Sequence, residues 1–194
     1  MTLKTKTLPQ HVPMTMSLED CLKNRRSGRE FDPKRTLSDE VLASLLFAAC
    51  GQSGENGLRT CPSTLNRRSV SVCVVREDGV WRYNERSATL EPIRKGDYRD
   101  VTTAGQDFVK DAPVTFAIVY DEEKGRGPDG ETLPIVWAWA DAALIAENIY
   151  LASTALGLSG VTRAWFDPEK SRRELGLRSS ETALLMHTVG YPKH

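Results

Sequence analysis

A chain of 194 residues, 40 % hydrophobic and 27 % charged, is sized for one globular domain with a real core. Lys plus Arg and Asp plus Glu each number 26, so zero formal charge gives no bulk drive toward nucleic acid or a membrane surface. Cys21, Cys50, Cys61, Cys73 and the three histidines lack metal-like spacing, and a disulfide framework is not expected at this length. The N-terminus lacks the apolar core of a signal peptide, and no apolar run reads as membrane-spanning, so a reduced, cytoplasmic, soluble protein is expected.

Residues 1–16 carry two prolines and little periodicity, and read as an extended N-terminal arm before a single domain over residues 17–194. Ser17 with Asp20 three residues on makes a helix start of capping-box type, and Leu18, Cys21 and Leu22 supply one apolar face. Pro33 closes the following segment. A second helix is predicted from Ser38, with Asp39 and Glu40 in its first turn and Gly51 as its stop. Leu42, Leu45, Leu46 and Ala49 recur at helical spacing. Residues 51–65, rich in glycine and small polar side chains, read as loop.

The β-branched run Val70 to Val75, the turn signal Asp78-Gly79 and Val80-Trp81-Arg82-Tyr83 predict a hairpin. Val114 to Tyr120 is apolar but for Thr115, as in a strand buried on both faces. Residues 121–134 read as a charged loop or lid. The longest helix is predicted from Ile135 to about Leu156, apolar around most of its circumference and stopped by Gly157-Leu158-Ser159-Gly160. A short strand from Val161 precedes a helix capped by Asp167 with Pro168 at its first position, and Ala183 to Val189 forms the last strand. The mixed order of helices and strands is that of an α+β fold.

Arg25, Arg26 and Arg29, with Ser27 among them, place three guanidinium groups and a hydroxyl within five residues at the end of the first helix. Guanidinium forks suit phosphate oxygens, although the same cluster also suits a solvated surface. Pro62-Ser63-Thr64-Leu65-Asn66 offers hydroxyl and amide groups in a loop, suited to a polar heterocycle. Gly125-x-Gly127-x-x-Gly130 matches a dinucleotide fingerprint in letters only, because it lies in a charged loop and lacks the strand-turn-helix context with a downstream acid. No Walker-type loop and no G-x-S-x-G elbow occur. Trp137 and Trp139 suit packing or a subunit contact, and nothing in the spacing singles out Asp141, Glu147 or Asn148 as an acid–base set.

In order along residues 17–193, several landmarks resemble the nitroreductase superfamily. They are Arg25-x-Ser27-x-Arg29-x-Phe31, Pro62-Ser63-x-x-Asn66, Asp111-Ala112-Pro113, Glu147-Asn148, Leu156-Gly157-Leu158 and Val189-Gly190-Tyr191-Pro192-Lys193. Arg59-Thr60-x-Pro62-Ser63 and the Asp78-to-Tyr83 hairpin are most similar to the branch that oxidises azoline rings in peptide natural products. The resemblance implies an α+β fold, a central antiparallel or mixed sheet flanked by helices, and an intertwined homodimer with FMN at the subunit interface. It implies that Arg25 and Arg29 hold the phosphate and ring edge, with Arg26 and Ser27 nearby and Lys193 as a further basic ligand. Pro62, Ser63 and Asn66 are expected at the partner subunit's flavin, and Gln106 at its pyrimidine edge. Arg163, Ala164 and Trp165 fall beside flavin N5, where relatives often carry Glu-Gly, so Trp165 changes the space above the ring. Arg67-Arg68-Ser69 replaces a frequent Gln-Pro-Trp, and one phosphate contact near the C-terminus is missing.

The implied activity is hydride transfer from NAD(P)H through flavin N5 to a nitro compound, quinone or related acceptor, with no protein side chain as catalyst. Oxidation of azoline-type heterocycles and non-catalytic flavin binding are the alternatives.

Overall fold

The computed structural model describes residues 3–54 and 56–193; residues 1–2 of the expected arm and His194 of the expected domain lie outside that range. In chain order it contains β1 (Lys6–Thr7), α1 (Leu18–Asn24), α2 (Asp39–Cys50), β2 (Gln52–Ser53) and β3 (Leu58–Arg59). The hairpin strands β4 (Val70–Arg76) and β5 (Gly79–Asn84) lead to β6 (Thr89–Lys95), then β7 (Val114–Asp121) and the short α3 (Glu122–Gly125). The 21-residue α4 (Ile135–Ala155), β8 (Ser159–Arg163), α5 (Pro168–Leu175) and β9 (Glu181–Gly190) complete it. Seven strands form one sheet in the order β1-β6-β5-β4-β7-β9-β8, every neighbouring pair antiparallel.

The sheet is buried on both faces. Val72, Val74, Trp81, Phe116 and Ile118 pack with Leu42, Leu45 and Leu46 of α2 and Ala142, Ile145 and Ile149 of α4. Cys73, Val75, Val80, Ala117, Val119 and Met186 form the opposite face with Leu175 of α5. All eight residues of β7 are buried, which explains its unbroken apolar run. Each fully buried Leu, Ile or Val in these layers contributes on the order of 1.5–3 kcal/mol of apolar transfer energy.

The caps read from sequence are present. Ser17, Ser38 and Asp167 each accept a backbone N–H of their own first turn. Gly157, at φ +67°, adopts the left-handed conformation that ends α4.

Five elements escape the sequence pattern, the first two being β2 and β3, which pair with each other inside the expected loop of 51–65. β6 contains Pro92, opposite Trp81 where the register with β5 shifts, so its alternation is broken at a bulge. β1 lies within the expected extended arm and pairs with Leu90 and Thr89 of β6, while Lys6 ion-pairs Asp78 at 2.6 Å. α3, capped by Asp121, lies inside the expected loop of 121–134. The expectation that no run reaches membrane-spanning length also needs correction. By length and a mean hydropathy of 1.2, α4 is long and apolar enough to span. Its Ala142, Ile145, Ile149 and Ala152 are nevertheless buried among sheet and α2 residues, its Asp141 bonds to the Ser63–Thr64 loop, and its Asn148 bonds to Ala48 of α2 and to Thr60, as in a core helix.

Candidate functional site

Two segments read from sequence as ligand-binding are held by opposite stretches of α4. The first begins where Arg25 caps α1, its N–H donating to the Cys21 carbonyl at 2.8 Å. The chain then runs beside β8, with Gly28 N–H donating to Gly160 O at 3.0 Å and Ser27 bridging Gly160. A Cβ at Gly28 would meet Ser159 Oγ at 1.9 Å, so glycine permits this approach. Asp32 N–H and Lys193 N–H then pair with Tyr191 O and Glu30 O, which fixes the C-terminal residues against the same segment.

Side chains in this segment divide by role. The Arg25 guanidinium lies 5.1 Å from the centre of the Tyr150 ring, a cation–π distance. Ser27 Oγ and Tyr150 Oη are 2.9 Å apart, and Tyr150 Oη also accepts the Thr162 N–H at 2.8 Å. Arg26 turns back onto the end of α1, donating to the carbonyls of Lys23 and Arg25. Arg29 and Lys193 share the lining of an open cavity of about 500 Å³ with Glu30, Phe31, Phe108 and Asp111. Neither cation forms an ion pair among the described residues.

The second segment is strained and anchored. Leu65, Asn66 and Arg68 all take positive φ, at 49°, 53° and 52°. Non-glycine residues in that region cost about 1 kcal/mol or more each and persist where surrounding structure dictates them. The anchor is Asp141 of α4, only 5 % exposed. Its carboxylate accepts Ser63 Oγ at 3.1 Å, Thr64 N–H at 3.0 Å and Thr64 Oγ1 at 2.9 Å. Asn148, seven residues on, donates to the carbonyls of Ala48 and Thr60 and ties down the approach to the loop. Ser63 Oγ also accepts the Arg68 N–H at 2.8 Å, so its hydroxyl is committed inside the loop. Pro62 and Asn66 are exposed.

β8 carries the third group. Ala164 and Trp165 are exposed, Trp165 at 77 %, and Gln106 Nε2 donates to the Trp165 carbonyl at 3.1 Å. Arg163 instead points inward. Its guanidinium donates to Thr102 O at 2.5 Å and Thr188 Oγ1 at 3.0 Å, and its buried Nε has no partner among the described residues. Burial without a carboxylate pushes its pKa down to about 10. His187 is buried nearby with Nδ1 2.8 Å from Thr162 Oγ1. Desolvation, helped by Arg163, pushes it down to about 3, so it is neutral.

Cys50, Cys61 and Cys73 are not poised as nucleophiles. Burial raises the thiol of Cys50 to about 12, that of Cys73 to about 11, and that of Cys61 as well. The described residues hold no cluster able to bind a metal.

The structure thus brings Arg25, Ser27, Arg29 and Lys193 to one end of the sheet beside β8. It sets Pro62, Ser63 and Asn66 elsewhere on the same molecule: Tyr150 and Asp141, their respective anchors, are nine residues or about 13 Å apart along α4. Of the two anchors, Asp141 is visible in the sequence as a polar group of the long helix but not as the holder of this loop, and Tyr150 carries no signal. The 141/148 spacing, two polar groups two turns apart on one side of an otherwise apolar helix, is the pattern that points to the loop.

Residues 22–191 match the model of the nitroreductase family, and the chain belongs to that family. It is 31 % identical over 185 residues to a Methanocaldococcus jannaschii protein provisionally named a nitroreductase, covering 90 % of this chain and 91 % of that one. A crystal structure of a provisionally named nitroreductase from Ralstonia eutropha superposes with TM-score 0.89 and 32 % identity, covering 98 % of this chain and 90 % of that one. At lower identity the fold is shared with the Escherichia coli microcin synthetase McbBCD complex with truncated pro-MccB17 bound (18 %, TM-score 0.77, 88 % and 70 % covered). It is shared too with a provisionally named nitroreductase in complex with FMN from Desulfovibrio desulfuricans (20 %, TM-score 0.65, 91 % and 87 % covered).

Proposed function

We propose that the protein is an FMN-dependent oxidoreductase whose flavin site is completed by a second copy of the chain. The observation that carries this reading is the convergence of Arg25, Ser27, Arg29 and Lys193 on one open end of the molecule. Arg29 and Lys193 there line a cavity without ion-pair partners. Cations without ion-pair partners, set beside Phe31 and Phe108 and near the Ser27 segment, fit a phosphate-bearing aromatic ring system, with Glu30 and Asp111 as the acidic groups of the same lining. Family membership and the FMN-bound Desulfovibrio relative support the choice of FMN.

Each residue has a task in this reading. Arg25, held over Tyr150, and Ser27 bind the phosphate; Arg29 and Lys193 place positive charge at the ring edge, where it favours the reduced, anionic form. Gln106 fixes the Trp165 carbonyl and so orients the Ala164-Trp165 backbone toward the ring. Arg163 positions that segment from behind, through Thr102 and Thr188. Pro62 and Asn66 are presented to the partner subunit's site by the loop that Asp141 holds, with Ser63 locking it. Bound FMN supplies two-electron chemistry, which lets a nicotinamide donor and an electrophilic acceptor such as a quinone or nitro compound react in turn.

The second copy is required because one chain keeps the two segments apart. The surface for it is present: Leu18 and Leu22 of α1 and Ile135, Val136, Trp137 and Leu144 of α4 are exposed apolar side chains.

The test is NADH or NADPH oxidation by the FMN-loaded protein with a quinone or nitroarene present. Acceptor-dependent turnover that falls with Arg29→Ala is expected; bound FMN with no turnover from either donor overturns the reductase activity. A second reading, oxidation of a ring in a modified peptide, draws on the fold shared with the microcin synthetase chain and on the exposed Trp165. It predicts flavin reduction by the heterocyclic substrate and none by nicotinamide.

A further inference from the structure

A second hollow, of about 510 Å³, opens where β4, β5 and β6 meet the Asn66 loop and α3. Arg67, Arg68, Arg82, Arg86, Lys124 and Arg178 line it, against the carboxylates of Glu85 and Glu91 alone. In a chain whose positive and negative side chains are equal in number, that is a strong local imbalance.

Ion pairing accounts for only half of these cations. Arg82 Nη1 lies 2.8 Å from Oε1 of Glu181, a residue 1 % exposed. Arg178 reaches Asp121 at 3.6 Å, and Arg68 reaches Glu85 at 4.0 Å. Arg67 donates to the Arg126 carbonyl at 3.1 Å, and neither Arg86 nor Lys124 meets a carboxylate among the described residues. The floor is therefore neutralised by Glu181 and Asp121, while uncompensated charge stands at the rim on three separate elements. Ser71, also on the lining, has a buried hydroxyl with no partner among the described residues. Like charges gathered in a concavity repel one another and destabilise the fold, a cost that a bound anion offsets. Two guanidinium forks and an ammonium around a hollow of this size suit the three acceptor oxygens and near-double charge of a phosphoryl group.

We propose that this hollow is a second site, which binds a phosphate-bearing small molecule. It shares no lining residue with the Arg29–Lys193 cavity, and the one proposed flavin contact on its lining is Asn66, which is presented to the partner subunit's site. Its occupant is either the phosphate of a dinucleotide donor or a phosphorylated acceptor or effector.

The probe is inorganic pyrophosphate, titrated calorimetrically into the FMN-loaded protein at constant ionic strength, with sulfate-free chloride buffer as reference. Arg86→Ala combined with Lys124→Ala changes two exposed side chains and leaves folding intact. Saturable binding to the wild type, weakened about tenfold or more in the double variant with FMN retention unchanged, is expected. Absence of saturable binding overturns the proposal, and so does equal affinity in the double variant. A protein that binds pyrophosphate here but never retains FMN keeps this site and defeats the flavin reading, so the two fail separately. A rise in KM for NADPH, alone or together with NADH, in the double variant assigns the hollow to the donor; unchanged KM for both, with pyrophosphate binding lost, assigns it to an acceptor or effector.

Discussion

Asp141 accepts both the amide and the hydroxyl of Thr64, at 3.0 Å and 2.9 Å, from a buried position on α4. Through this pair a helix of the core dictates the shape of a strained loop whose tip, Asn66, is exposed. Asp141→Ala leaves the half-buried Thr64 N–H and Ser63 Oγ without their acceptor, at about 1 kcal/mol for each group. FMN retention is expected to fall about tenfold or more, with the thermal midpoint lowered too. Asp141→Asn keeps the shape but loses charge-assisted bonding, and is expected to lie between. Titration of FMN into both apo variants checks the order.

Tyr150 links the two strands of the account at the phosphate end. Its hydroxyl contacts Ser27 Oγ and accepts Thr162 N–H, and its ring lies beneath Arg25. Tyr150→Phe keeps the ring under Arg25 and removes both hydroxyl contacts. A stability loss of about 1 kcal/mol is expected from the orphaned Thr162 N–H, with FMN affinity reduced severalfold. Arg25→Ala, which removes the proposed phosphate ligand itself, is expected to weaken FMN more than Tyr150→Phe does. Equal FMN affinity in the Arg25 variant and the wild type contradicts the assignment.

His187 makes stability depend on pH. Its folded value, about 3, lies below the ordinary 6.5, so between those limits the unfolded chain takes up a proton that the folded one refuses. Stability from this residue is therefore present above pH about 6.5 and lost as pH falls toward 3. Going from pH 7 to pH 5 is expected to cost the wild type about 2 kcal/mol from this group alone. His187→Gln removes that contribution. Urea midpoints at the two pH values, compared between wild type and variant, measure the difference.

Trp137 and Leu144 are 40 % and 45 % exposed on α4, too apolar to be left in water across so broad a face. In the proposed dimer, Leu144→Glu places a charge in the subunit contact. The variant is expected to sediment as a monomer and, lacking the partner's Asn66 loop, to lose FMN as well. A dimer that survives this change with FMN bound contradicts the shared site.

The legible and illegible parts of this chain differ for physical reasons. The long apolar α4, the hairpin β4–β5, the buried β7 and the caps at Ser17, Ser38 and Asp167 are each specified by local periodicity or by one capping side chain. β6 was invisible because Pro92 and a bulge break its alternation, and β1 because two residues carry no period. Within the site, Arg25, Ser27 and Arg29 stand close in sequence, so the cluster could be read directly. The commitment of Ser63 to Asp141, the turning of Arg26 onto its own helix, and the inward course of Arg163 depend on neighbours distant in sequence. Sequence order does not encode those contacts locally. The basic hollow at Arg67, Arg86 and Lys124 is of the same kind, since its members come from separate segments.

The most direct test is the visible spectrum of the purified protein, followed by denaturation and identification of the released chromophore. The account predicts a yellow protein that releases FMN in proportion to chain concentration, and an Arg25→Ala variant that is paler. A colourless protein that also fails to take up added FMN would contradict it, leaving a nitroreductase fold without the cofactor its Arg25, Ser27, Arg29 and Lys193 are placed to hold.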